Sequence, residues 1–234
     1  EPGPQSVTLT GTDNPCFGAT QGSATASFIN PTGSVAYNWT GGLSGSTISN
    51  LAAGTYTVTA TDQNNCSLTG TVTVNQPPAV SMTATATDAV CFGGNGTATA
   101  TATGIGPFTY VWSDGSSGQT VSLPAGNYSV SAADPSTCQQ TASVVVNEPP
   151  VITVQESHTD ASCFGGADGA ITLTVSGGTG STYSFIWSPS VSTTNSASGL
   201  SNGSYSITVG DANSCSITQT VSVSSPSVII PILT

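Results

Sequence analysis

Cys-Phe-Gly recurs at Cys16-Phe17-Gly18, Cys91-Phe92-Gly93 and Cys163-Phe164-Gly165, and each copy opens the same series of landmarks. A single Trp follows at Trp39, Trp112 and Trp187. A Gly-x-Tyr step comes next, from Gly54 to Tyr56, Gly126 to Tyr128 and Gly203 to Tyr205. Asp-x-x-x-Cys closes each series, from Asp62 to Cys66, Asp134 to Cys138 and Asp211 to Cys215. A period of 72 to 75 residues defines a tandem array of small units, so function must be sought in the array. The expected divisions are residues 1–77, 78–149 and 150–226, with 227–234 as the first strand of a fourth unit or a terminal strand.

The chain of 234 residues has no Lys or Arg against eleven carboxylates and one His. Without cations it cannot neutralise phosphates, which excludes nucleic acid as a partner. Polybasic attachment to anionic lipid is excluded for the same reason. Lys and Arg salt bridges are impossible, so core packing, hydrogen bonds and cross-links must supply the stability. Ser and Thr together number 74, which makes the surface largely hydroxyl and amide. Low charge alone would suit disorder, but apolar residues in period-2 alternation argue for folded strands.

Each unit reads as strands only. In the second, residues 80–85, 97–103, 108–112, 119–123, 128–132 and 141–146 are expected strands, separated by Gly- and Ser-rich breaks. No window has a helical period, so no helix beyond a stray turn is expected. Short strands around one Trp predict an all-β fold: three small immunoglobulin-like sandwiches in tandem. Trp39, Trp112 and Trp187 are the expected core anchors, with Tyr56, Tyr128 and Tyr205 bonding backbone at a strand start. Gln76-Pro77-Pro78 and Glu148-Pro149-Pro150 are short, stiff junctions.

Cys16, Cys66, Cys91, Cys138, Cys163 and Cys215 fall two per unit, spaced 50, 47 and 52 residues apart. In small charge-poor units this reads as a disulfide framework from an oxidising compartment. The repeat favours one bridge inside each unit: Cys16–Cys66, Cys91–Cys138 and Cys163–Cys215. Three pairs of buried free thiols are the bland alternative. Counting strands places both turns bearing these cysteines at one end of a unit. The same count puts both chain ends at the other, a conflict that an extra strand or a kinked first strand would resolve.

The string from Cys163-Phe164-Gly165-Gly166-Ala167-Asp168-Gly169 to Val175, with Tyr183 to Trp187, Gly203 to Val209 and Asp211 to Cys215, resembles the SprB-type repeat. Such repeats come from large cell-surface adhesins of gliding Bacteroidota, and the resemblance extends over all three units. It implies a very long extracellular surface protein, exported by a type IX system and displayed as a filament. Its implied partners are neighbouring repeats of the same chain and other filament chains, and it implies no catalytic residues. The first unit departs, with Gly18-Ala19-Thr20-Gln21-Gly22 in place of Gly-Gly-x-Asp-Gly.

Asp13, Asp88 and Asp160 precede the first cysteines, and Asp62, Asp134 and Asp211 the second. Each is expected to cap its turn through backbone N–H groups. Two such carboxylates with turn carbonyls could instead hold Ca²⁺, which takes six to eight oxygens. No other cofactor is expected. His158 occurs in one unit only and has no nucleophile context around it, so no enzyme is expected. The alternating Thr97 to Thr103 run resembles an ice-binding array, but the other units do not extend it. Sequons at Asn38, Asn65, Asn95, Asn127 and Asn202 matter only where a glycosylating pathway exists. The longest apolar stretch, from Val228 to Leu233 around Pro231, is too short to span a bilayer and reads as the opening strand of a further unit, the alternative being a strand donated to the next molecule by an assembling filament subunit. The loop tips 42–46, 113–118 and 188–198 differ in length and lack aromatics, which favours a stalk over direct glycan or matrix binding.

Overall fold

A computed structural model describes residues 3–228. The first repeat supplies β1 (Ser6–Thr12), β2 (Gly22–Ile29), β3 (Val35–Trp39), β4 (Thr47–Leu51), β5 (Gly54–Asp62) and β6 (Ser67–Val74). The second supplies β7 (Ser81–Thr87), β8 (Asn95–Thr103), β9 (Thr109–Trp112), β10 (Thr120–Pro124), β11 (Gly126–Ala133) and β12 (Gln139–Val146). The third supplies β13 (Thr153–Thr159), β14 (Gly169–Ser176), β15 (Ser184–Ser188), β16 (Ser196–Leu200), β17 (Gly203–Gly210) and β18 (Ser216–Val223). A 3₁₀ turn at Thr40–Gly42 is the one helical element among the described residues. The expected Val228–Leu233 strand lies largely outside them.

Each repeat builds two three-stranded antiparallel sheets. In the first they run β1-β2-β4 and β3-β5-β6, and the same orders recur in the second and third repeats. This is the A-B-E and C-F-G arrangement of an immunoglobulin-type sandwich with strand D missing. The fold is all-β and immunoglobulin-like, as the strand pattern predicts.

The chain forms two compact units. One comprises Glu1–Ala84, Ala100–Gln119 and Ser129–Ser143, and so holds the whole first sandwich with part of the middle one. The other comprises Thr85–Thr99, Thr120–Tyr128 and Val144–Thr234, and holds the third sandwich with the rest of the middle one.

Alternation selects the core face. In β2 Gly22, Ala24, Ala26 and Phe28 turn inward and the residues between them turn out. Ala24, Ala26, Trp39, Ile48, Leu51, Val58 and Val74 make the first core. Ile171, Leu173, Trp187, Leu200, Tyr205, Ile207, Val209, Val221 and Val223 make the third, with Ala197 at its margin. These cores are small and the first is rich in Ala, so covalent support matters more than it would in a large domain. At the head of β2, a Cβ on Gly22 would stand 2.5 Å from Val74 Cγ1 and 2.9 Å from the Leu51 carbonyl oxygen. Glycine is required there by close approach between the two sheets.

The strand directions hold one surprise. β3 pairs with one half of β5, Val35 opposite Asp62 and Trp39 opposite Val58. β4 pairs with the other half of the sandwich, Thr47 opposite Thr25 and Leu51 opposite Gly22. Residues 35–51 therefore cross the sandwich once, changing sheets halfway along. β3 and β4 count as a single traverse, and three traverses rather than four separate the two cysteine-bearing turns. Those turns, and likewise the two ends of the repeat, lie at opposite ends of the first sandwich and, by the same registers, of the third.

Trp39 fixes the change of sheet. Its indole is buried and donates from Nε1 to the Gly45 carbonyl at 2.9 Å, closing the crossover. Trp112 donates to Gly118 at 3.0 Å and Trp187 to Thr194 at 2.9 Å in the same way. The expected core role of the Trp is present, and with it a hydrogen bond that sets the topology. The Tyr anchors follow expectation: Tyr56 donates to Ala52 at 3.0 Å, Tyr128 to Pro124 at 3.1 Å and Tyr205 to Ser201 at 2.9 Å.

Candidate functional site

The turn before β2 and the turn before β6 carry the chemistry of this chain. The first contains Asp13 to Gln21 and sits at the carboxyl end of its sandwich. There Asn14 N–H donates to the Asn75 carbonyl at 2.9 Å, and Asp13 Oδ1 accepts Asn75 N–H at 2.7 Å. The second turn, Asp62 to Cys66, sits at the amino end. Asp62 there accepts from Gln5 Nε2 at 3.0 Å and from Thr32 N–H at 3.1 Å.

Opposite placement corrects the expected disulfides. Cys16 cannot reach Cys66 across the length of one sandwich, nor Cys163 reach Cys215. Cys16 is bonded to Cys138, and Cys91 to Cys215. Each bridge joins the first cysteine of one repeat to the second cysteine of the next, straddling a Pro-Pro junction. Cys66 and Cys163 are free and exposed. The cysteines do form bridges, but the bridges join repeats instead of closing them.

Both partners are held in fixed backbone. Gly18, Gly93 and Gly165 each adopt φ of 72°, two residues beyond the first cysteine, where an L side chain would be strained. Before the second cysteine, Asn65, Thr137 and Ser214 are left-handed at φ of 61°, 66° and 66°. Asp62 Oδ1 accepts Cys66 N–H at 2.9 Å, and Asp134 and Asp211 do the same for Cys138 and Cys215 at the same distance. These carboxylates cap their turns, and that bonding offsets the cost of their burial.

For Asp62, desolvation pushes the carboxyl up, but N–H groups of Thr32, Cys66 and Asn64 together with Gln5 outweigh it and hold it below the usual range. Asp211 is held low first by Thr179 N–H, against desolvation, with help from Cys215 and Asn213. Hydrogen bonding from Ser224 chiefly lowers Asp160, against desolvation and with aid from His158. Asp88 accepts Asn147 N–H at 2.9 Å, the counterpart of Asp13 with Asn75.

The calcium expectation rests on a bridge drawing both Asp residues of a repeat to one end. Asp13 and Asp62 lie at opposite ends of their sandwich, as do Asp160 and Asp211. Among the described residues no three His, Cys, Asp or Glu side chains come together as a metal would need. His158 is exposed on β13, with Nδ1 3.0 Å from Glu156 Oε2, as expected of a surface residue. The Thr side chains of β8 face solvent while Ala98 and Ala100 are buried, and Thr99 bonds Thr120 across strands. No sequence rule pointed to the clefts beside the bridges. One of about 460 Å³ is lined by Phe92, Pro149, Pro150, Ile152 and Ile217 next to Cys91 and Cys215. Another of about 240 Å³ is lined by Phe17, Pro78 and Val80 next to Cys16 and Cys138. Phe17 and Phe92 stand 60% and 55% exposed at these rims.

Strand order defines the class: tandem immunoglobulin-like sandwiches. Residues 83–117 and 156–192 match the SprB repeat model. Two segments of the chain, one in the second repeat and one in the third, are thus similar to SprB repeats. A search of curated protein sequences finds no match. Among solved structures, the three N-terminal domains of the bacteriophage RB49 Highly Immunogenic Outer Capsid protein are 14% identical, with a TM-score of 0.42, covering 96% of this chain and all of that one. The N-terminal eight Ig domains of Down Syndrome Cell Adhesion Molecule are 13% identical at a TM-score of 0.43, covering 96% of this chain and 37% of that one. The mouse nectin-like molecule 4 ectodomain is 11% identical at 0.34, with 96% of each chain covered. At such scores these likenesses carry no functional argument, and the classification rests on the strand order.

Proposed function

We propose that this chain is a tension-carrying segment of an extracellular surface adhesin or filament, a stalk that presents an adhesive part and is not itself catalytic. Its proposed partners are neighbouring repeats and other filament chains. The resemblance to SprB-type repeats supports a reading among adhesins of gliding Bacteroidota exported by a type IX system.

The observation that carries it is the pair of bridges across successive junctions. Without them, stretching Cys16 from Cys215 would pay out 199 residues of chain, about 700 Å at ~3.5 Å per residue. With both closed, the shortest covalent path runs from Cys16 through Cys138, back to Cys91, and through its bond to Cys215. That path contains 47 residues, about 160 Å. Unfolding under load is thereby limited to about a quarter of the free extension. Single-molecule stretching of the oxidised and reduced chain tests this. Pulled from its two ends, the chain should show a contour about threefold longer after reduction, and equal contours would overturn the reading. Saturable binding of the isolated chain to a polysaccharide would favour a glycan- or matrix-binding module instead.

A further inference from the structure

We infer that Cys163 and Cys66 are the two complementary halves of one further joint of the kind seen twice in this chain. Cys163 takes the second-turn cysteine of another sandwich of this type, and Cys66 takes a first-turn cysteine. A second copy of this chain supplies both, so copies join head to tail through Cys163 of one and Cys66 of the next.

Four equivalent cysteines are already bonded in one fixed polarity, first turn to second turn of the following sandwich. The free pair consists of one cysteine of each kind. Each is presented as its bonded counterparts are. The Cys163 carbonyl accepts Gly166 N–H at 2.9 Å, as Cys91 accepts from Gly94 at 3.0 Å. Asp62 N–H donates to the Cys66 carbonyl at 3.0 Å, as Asp134 does to Cys138 at 3.1 Å and Asp211 to Cys215 at 2.9 Å. Phe164 stands exposed beside Cys163 as Phe17 and Phe92 do beside their bridges.

The bond forms by thiol–disulfide exchange. A Cys66 or Cys163 thiolate attacks oxidised glutathione, releasing one glutathione thiolate and leaving a mixed disulfide. The second protein thiolate then displaces the other glutathione. Two protein thiols lose two protons and two electrons, and one oxidised glutathione becomes two reduced ones.

The test uses the whole chain at millimolar concentration in a glutathione redox buffer, read by non-reducing electrophoresis. Wild type should give a ladder of covalent multimers. Cys66→Ser and Cys163→Ser should each remain monomeric, and an equimolar mixture of the two should give a dimer and nothing longer. Peptic digestion at acid pH should then yield the Cys163 peptide linked to the Cys66 peptide. Melting curves matching wild type confirm that each variant is folded. A wild-type chain that stays monomeric overturns the inference. So do single variants that dimerise as readily as the mixture, or links between like cysteines.

Discussion

Replacing Cys16 and Cys138 together by Ser removes the first bridge without leaving an odd thiol. Its worth follows from the loop it closes. If the first sandwich melts while the second stays folded, the bridge pins Cys16 near Pro78, beside Cys138, and closes about 60 residues. If both melt, the closed segment spans 122 residues. Chain entropy assigns about 4 kcal/mol to the shorter loop and about 5 kcal/mol to the longer. At ~4–8 °C per kcal/mol for a sandwich of this size, the first transition should fall by roughly 15–30 °C. Scanning calorimetry of the oxidised chain measures it. Cys66→Ser is the decisive comparison, because a free exposed thiol should change stability by no more than about 0.5 kcal/mol. If Cys66→Ser destabilises as much as the double variant, Cys16 is paired inside its own repeat and the crossed arrangement is wrong.

Tyr205→Phe removes a hydroxyl bonded to Ser201 and should cost about 1 kcal/mol in urea unfolding, with the slope unchanged. Gly22→Ala forces a methyl against Val74 and Leu51 and should cost about 1–3 kcal/mol, whereas Gly41→Ala meets no neighbour and is disfavoured only by its positive φ of 79°. Acid should destabilise the chain. Asp62, Asp160 and Asp211 are held below their ordinary range when folded, so their contribution is complete above the unfolded value of about 3.9 and lost as pH falls through the folded one. Melting temperatures should hold from neutral pH to about 5 and then drop, and Asp62→Asn should flatten that drop. A chelator should leave the melting temperature unmoved if the Asp residues serve as turn caps.

Much of the fold was legible because alternation and turn chemistry are local. All six strands of the second repeat lie where period-2 runs predict them, each within two residues at its ends. The Tyr and Trp anchors were equally readable, since one aromatic per repeat at constant register is what a shared core position requires. The number of traverses is not local. A strand that changes sheets halfway looks, in sequence, like two strands, and nothing in Tyr37 to Ser46 marks the change except an indole whose hydrogen bond is invisible before folding. Counted as two strands, that one traverse yields both the conflict over the chain ends and a bridge inside each repeat. The capping role of the Asp residues is legible in their spacing, yet their distribution between the two ends depends on the same count. The clefts beside Phe17 and Phe92 were hidden because they are assembled from two repeats, and no single repeat encodes them.

The crossed sulfur bonds also impose an order on maturation. Cys16 has no mate until its partner, 122 residues later, has emerged and the second sandwich has taken shape. During synthesis the first sandwich must therefore carry the Cys16 thiol, and the second the Cys91 thiol, until the following sandwich has folded. Each junction is thus locked only after both of the sandwiches it joins exist.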